Sequence, residues 1–205
     1  MPGFEIIGKE EQNAVIEVFD KSNGVLFAHG FDERRNYIFR VRDFEKDFAS
    51  KLGNGFAAAC TSGTSAQYIA MKALGIKPGD EVITQSFTFI ATIEAILACG
   101  AVPVVVDIND TYNLDPIEFE KAITSKTKMV VPVHMLGNPA EMDEINKIAK
   151  RNNILVLSDA CEALGALYKG ISTAYLGDAA VFSLDFGKTI TAGEGGIVTT
   201  NNFQL

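Results

Sequence analysis

Short, β-branched apolar runs recur along this chain, and helix-period segments fall between most of them. The runs lie at 81–84 (EVIT), 102–108 (VPVVVDI), 128–133 (KMVVPV), 154–158 (ILVLS) and 179–183 (AAVFS), with a last one at 197–200 (IVTT). The helix-period segments cover 64–74, 88–99, 115–124 and 139–151. Strands that are apolar almost throughout are buried on both faces. Strand–helix alternation makes the helices crossovers between parallel neighbours. The pattern therefore predicts an α/β fold, with a mainly parallel central sheet and helices on both faces. Ahead of it, 8–22 carries Val15, Ile16, Val18 and Phe19 on a helical period, stopped by Asn23-Gly24. Residues 24–40 show no period and hold His29, Arg34, Arg35 and Arg40; they read as a long loop, whose basic residues could meet an acidic substrate or solvent. Residues 42–52 repeat Phe44, Phe48 and Leu52, again as a helix, ended by Gly53. The chain divides into an N-terminal helix and loop (1–41) and a large domain (42–205).

Composition excludes several classes of function. The 205 residues suffice for one domain with a real core. Net charge is −8 and no Lys/Arg cluster stands out, so no nucleic-acid partner is expected. No run approaches the ~18 apolar residues of a membrane span, and the opening MPGFE has no basic or apolar leader. The cysteines, Cys60, Cys99 and Cys161, are odd in number and sit among apolar neighbours, which points to reduced thiols. The expectation is a soluble cytoplasmic protein, without a metal.

Four segments carry the candidate chemistry. Thr61-Ser62-Gly63-Thr64-Ser65-Ala66 links a small apolar run (FAAAC) to a helix. Free N–H groups at a helix N-terminus suit a phosphate, though an ordinary Ser or Thr cap has the same sequence. Asp159 follows the run ILVLS directly, at the strand end where ligands of parallel sheets gather. It could hold a protonated ring nitrogen by Coulomb attraction or simply cap a helix. In Phe182-Ser183-Leu184-Asp185-Phe186-Gly187-Lys188, Ser183 ends a strand and could donate to a phosphate. Lys188 lies in an apolar, glycine-rich stretch, where a desolvated amine becomes a usable nucleophile; a loop lysine is the alternative. Gly193-Glu194-Gly195-Gly196 demands positive φ or close backbone approach, and would fix the loop bearing Lys188. His134 stands at a strand end, where a hydrogen-bonded structural role is favoured over a ligand contact.

Taken together, these segments resemble a known family. FSLDFGKTITAGEGG resembles the signature of the DegT/DnrJ/EryC1/StrS aminotransferases, sugar aminotransferases of fold type I that use pyridoxal 5′-phosphate. TSGTSA with the following KALGIKPGDEVITQSFTFIATIEAILACGAVPVVVDI resembles them too, as does VPVHMLGNPAEMDEINKIAKRNNILVLSDACEALGALYKG. The resemblance runs from about residue 42 to the end; 1–41 fits more loosely. It implies that Lys188 holds the cofactor as a Schiff base and later carries a proton at the substrate carbon. It implies that Asp159 keeps the pyridine nitrogen protonated, and that Ser183 with the N–H groups of Gly63 and Thr64 binds the phosphate. Phe89 would stack on the ring, unless it is a core residue of its helix, and Glu162 would stand near the cofactor's 3′-oxygen. Related sugar dehydratases carry His where this chain has Lys188, which favours transamination.

The implied reaction moves an amino group from glutamate or glutamine to a keto-sugar, in a homodimer. The acceptor would be a nucleotide-linked 3- or 4-keto-6-deoxyhexose, or 8-oxo-Kdo, a lipopolysaccharide sugar to whose transaminases MPGFEIIG and DFGKTITAGEGG are similar. Family members are longer, with a smaller C-terminal domain that this sequence does not reach. Other classes stay open: a non-catalytic pyridoxal phosphate-binding or regulatory module, or an inactive fragment of such an enzyme. A Rossmann-type nucleotide binder is also open, weakened because no G-x-G-x-x-G follows the first strand.

Overall fold

The computed structural model describes residues 2–27, 30–53 and 55–204. Two helices lead, α1 (Lys9–Lys21) and α2 (Arg40–Leu52). The alternation follows as β1 (Phe56–Cys60), α3 (Gly63–Ala73), β2 (Glu81–Gln85), α4 (Ala91–Ala98), β3 (Val102–Val106), α5 (Pro116–Ala122), β4 (Thr127–Val131), α6 (Met142–Asn152) and β5 (Leu155–Asp159). A two-residue-per-arm hairpin comes next, β6 (Leu167–Tyr168) and β7 (Ile171–Ser172), then β8 (Ala179–Ser183) and β9 (Gly196–Thr200).

Seven strands form one sheet in the order β1-β9-β8-β5-β4-β2-β3. The pairs from β3 across to β8 are parallel. β9 runs antiparallel to β8, and β1 antiparallel to β9. Alternate residues of each strand feed opposite faces. Met129 and Val131 join Met71, Ile96 and Leu157 under α3 and α4. Val130 and Val156 join Phe119, Ile145 and Ile148 under α5 and α6. This is the double-sided burial that the continuous apolar runs predict, with each large side chain contributing ~1.5–3 kcal/mol. A third cluster seats α2, where Phe48 meets Phe182 edge-on at 5.3 Å between ring centroids.

The helix ends follow local chemistry. Asp115 accepts the Ile117 N–H at 2.8 Å with Pro116 opening α5, and Asn153 closes α6 in the left-handed region at φ 61°.

Some expectations change. The run FAAAC is a full strand, because pairing with β9 overrides the weak strand preference of alanine. The β6–β7 hairpin turns on Lys169 and Gly170, both at positive φ, and its arms are too short to show a period. Helix α4 begins at Ala91, so Phe89 lies in the preceding loop rather than on a helix. Helix α2 begins at Arg40, inside the segment expected as loop. On α1 the apolar period is present, yet Val15, Ile16 and Phe19 remain exposed among the described residues. Among the loop arginines, Arg35 is buried and donates to the carbonyl of Ile38 at 2.7 Å, a structural role. Arg40 pairs with Glu17, and Arg34 is exposed. His29 lies outside the described residues.

Candidate active site

The carboxyl ends of β5 and β8 and the N-terminus of α3 converge on a cavity of about 430 Å³. Gly63, Thr64, Phe89, Asp159, Glu162, Ser183 and Lys188 all line it. Residues more than a hundred positions apart in the chain thus share one space, because adjacent parallel strands open on the same edge of the sheet.

The start of α3 is both a cap and a cradle. Ser62 Oγ accepts the Ser65 N–H at 3.0 Å, and Ser62 O accepts the Ala66 N–H at 2.9 Å. The N–H groups of Gly63 and Thr64 have no acceptor among the described residues, and Ser183 stands beside them. A Cβ on Gly63 would meet Ser183 Cβ at 2.9 Å and Cys161 Sγ at 3.1 Å, so the backbone approaches as only glycine allows. Gly196 is pressed against the Ser62 carbonyl in the same way. The glycine-rich turn therefore braces the cradle as well as the lysine loop. Open amides, a helix dipole and a hydroxyl make a fitting anion site.

Asp159 ends β5 and is 3% exposed. Its Oδ1 accepts the Cys161 N–H at 3.1 Å. Its Oδ2 accepts from Gln67 Nε2 at 2.9 Å and Thr92 Oγ1 at 3.1 Å. Burial pushes the carboxyl above its ordinary range, opposed by the Cys161 and Thr92 hydrogen bonds and the Lys188 charge. A buried carboxylate with one oxygen open to a further donor suits a protonated ring nitrogen.

Lys188 Nζ lies 3.7 Å from Glu162 Oε1. Its side chain is 26% exposed, less withdrawn from water than its apolar surroundings suggest. Glu162 is held in turn by the Leu136 N–H at 3.0 Å, with Leu136 at φ 55°. The Lys188 loop is tied by its own amide to Asp185 O at 3.0 Å, and its carbonyl accepts the Gly3 N–H at 2.7 Å. Phe89 is 72% exposed at the cavity rim. Within this chain the Phe89 ring is therefore not part of the core, and it borders the cavity.

His134 does not line the cavity. It is fully buried, and Nδ1 accepts the Ala140 N–H at 3.1 Å. The proton is thereby placed on Nε2, which donates to Ser158 Oγ at 2.6 Å. Burial pushes the imidazole down to about 4. His134 is a hydrogen-bonded structural histidine. All three cysteines are free thiols, with Cys99 buried. Gln67 and Thr92 escaped the sequence reading. The available signal was a polar residue at 67, one turn after Gly63 on an otherwise apolar helix face.

No described helix is long and apolar enough to cross a membrane.

Known proteins resemble this chain in sequence and in fold. The chain is 49% identical over 167 residues to a GDP-perosamine synthase from Caulobacter vibrioides, covering 80% of this chain and 45% of that protein. An aminotransferase structure from Psychrobacter cryohalolentis matches with TM-score 0.88 and 38% identity, covering 97% of this chain and 48% of the other. An Escherichia coli GDP-4-keto-6-deoxy-D-mannose-3-dehydratase with bound hydrated pyridoxal phosphate matches with TM-score 0.84 and 29% identity, over 96% of this chain and 50% of the other. The chain spans about half the length of the proteins it matches. The family described as DegT/DnrJ/EryC1/StrS aminotransferases matches residues 9–205, and the chain belongs to that family.

Proposed function

We propose that this chain is the cofactor-binding part of a pyridoxal 5′-phosphate-dependent aminotransferase acting on a keto-sugar, with glutamate or glutamine as amino donor. The observation that carries this reading is one cavity holding a lysine amine, a buried carboxylate and an open-amide phosphate cradle. When bound, the cofactor supplies a carbonyl for an amine to condense with and a ring that draws electrons from the substrate carbon.

The chain's own residues do the rest. Lys188 provides the amine that holds the cofactor, and afterwards it moves a proton at the substrate carbon. Glu162 keeps the lysine beside the cavity floor. Asp159 holds the proton on the ring nitrogen. Gly63, Thr64 and Ser183 bind the phosphate, and Phe89 packs on the ring and excludes water from that side. Among the described residues lining the cavity, Lys188 is the one cation. A donor carboxylate or a sugar-linked diphosphate therefore finds its positive partners elsewhere, which supports a homodimer or further chain completing the site. The similarity to a GDP-perosamine synthase supports a nucleotide-linked keto-sugar over 8-oxo-Kdo.

Mixing the chain with pyridoxal phosphate and then glutamate tests the reading. A visible band that forms and then converts to the cofactor's amine form supports transamination. A band that persists unchanged supports the binding-module alternative.

A further inference from the structure

Gln67 lies on α3 one turn beyond the cradle, with 2% of its surface exposed. Its companions on the buried face are Ala66, Ala70 and Met71. An amide belongs in such a place only if its polar ends are used. One end is used: Nε2 donates to Asp159 Oδ2 at 2.9 Å. The other is not, for Oε1 has no hydrogen-bond partner among the described residues. Turning the amide over would set its carbonyl against the carboxylate, acceptor to acceptor. In the arrangement present, the amide donates to Asp159 and so favours its ionised form.

The carboxylate is loaded unevenly. Oδ2 takes two donors, Gln67 and Thr92, which fills its lone-pair sites. Thr92 shares a further hydrogen bond with Thr88 at 2.9 Å. Among the described residues Oδ1 accepts the Cys161 N–H, the Cys161 thiol also lies against the carboxyl, and Oδ1 keeps a lone-pair site for another donor.

We propose that Gln67 is a positioning residue for Asp159: it saturates Oδ2, leaves Oδ1 for the ring nitrogen of the cofactor, and keeps the shared proton on the ring. This rests on the pyridoxal phosphate reading of the cavity. Asp159 and the ring nitrogen compete for one proton. Each donated hydrogen bond stabilises the charged carboxylate and makes it a weaker base. Without the amide, Asp159 is more basic and draws the proton from the ring. Burial already pushes this carboxyl upward, so the amide works against the direction set by its surroundings.

Gln67→Leu and Gln67→Met remove the donor, the second at nearly constant length. In the cofactor-free chain, carbon-13 NMR of labelled aspartate should show Asp159 titrating at higher pH in both variants. With nitrogen-15-labelled pyridoxal phosphate bound, the ring signal should move from the protonated toward the neutral position, while the visible band persists. Unchanged Asp159 titration and ring signal in either folded variant overturn the proposal. A wild-type chain that binds no cofactor overturns the cofactor reading and the ring-nitrogen role together. The cofactor-free titration still reports separately whether Gln67 acts on the carboxylate.

Discussion

The backbone of Gly63 lies so close to Ser183 that a Cβ on the glycine would stand 2.9 Å from the serine Cβ. This approach joins the first turn of α3 to the end of β8 and brings open amides and a hydroxyl to the same spot. Gly63→Ala should separate them. Overpacking of this kind costs about 1–3 kcal/mol, read as a lower denaturant midpoint. The larger loss should be in cofactor affinity, measured by titration with pyridoxal phosphate. A variant that binds as tightly as wild type would show that this approach does not build the phosphate site.

Ser183 predicts a different balance. Its hydroxyl also accepts the Asp185 N–H at 3.3 Å, a weak contact, so Ser183→Ala should fold normally. A hydrogen bond to a charged phosphate is worth roughly 1.5–3 kcal/mol. Cofactor dissociation should therefore rise by about tenfold or more, without a change in the position of the visible band. Equal affinity in the variant would remove Ser183 from the phosphate contacts.

His134 predicts an acid-sensitive fold. Its folded value is about 4 against an ordinary 6.5. Below 6.5 the unfolded chain gains a proton that the folded chain refuses, so stability falls as pH drops from 6.5 toward 4. Between pH 6.5 and 5 the loss should be about 1.5 kcal/mol. Asp159, pushed upward by burial, acts in the opposite sense. The comparison is therefore with His134→Gln, which keeps Asp159. Urea unfolding across that range should show a steeper fall for wild type than for the variant; parallel curves would contradict the assignment.

The sheet and the site were legible to different depths. Continuous apolar runs such as KMVVPV can be buried only on two faces, so the parallel core followed from local pattern. Strand direction did not: β9 turns back on β8, and nothing in IVTT distinguishes the two senses. Lys188, Asp159 and Ser183 stood out because each ends or follows a strand run. Phe89 was placed on a helix because its segment is apolar enough to continue α4, yet the chain stays irregular until Ala91. Gln67 was missed because a single glutamine carries no motif. Its meaning comes from Asp159, 92 residues away. The tie from Gly3 to the Lys188 carbonyl was invisible for the same reason.

Whether Lys188 holds the cofactor is read from the absorbance of the chain with pyridoxal phosphate. Wild type should develop a visible band that survives removal of free cofactor. Lys188→Ala should lose that band while retaining the fold, as far-ultraviolet circular dichroism would show. An unchanged visible spectrum in a folded Lys188→Ala chain would show that another group holds the cofactor.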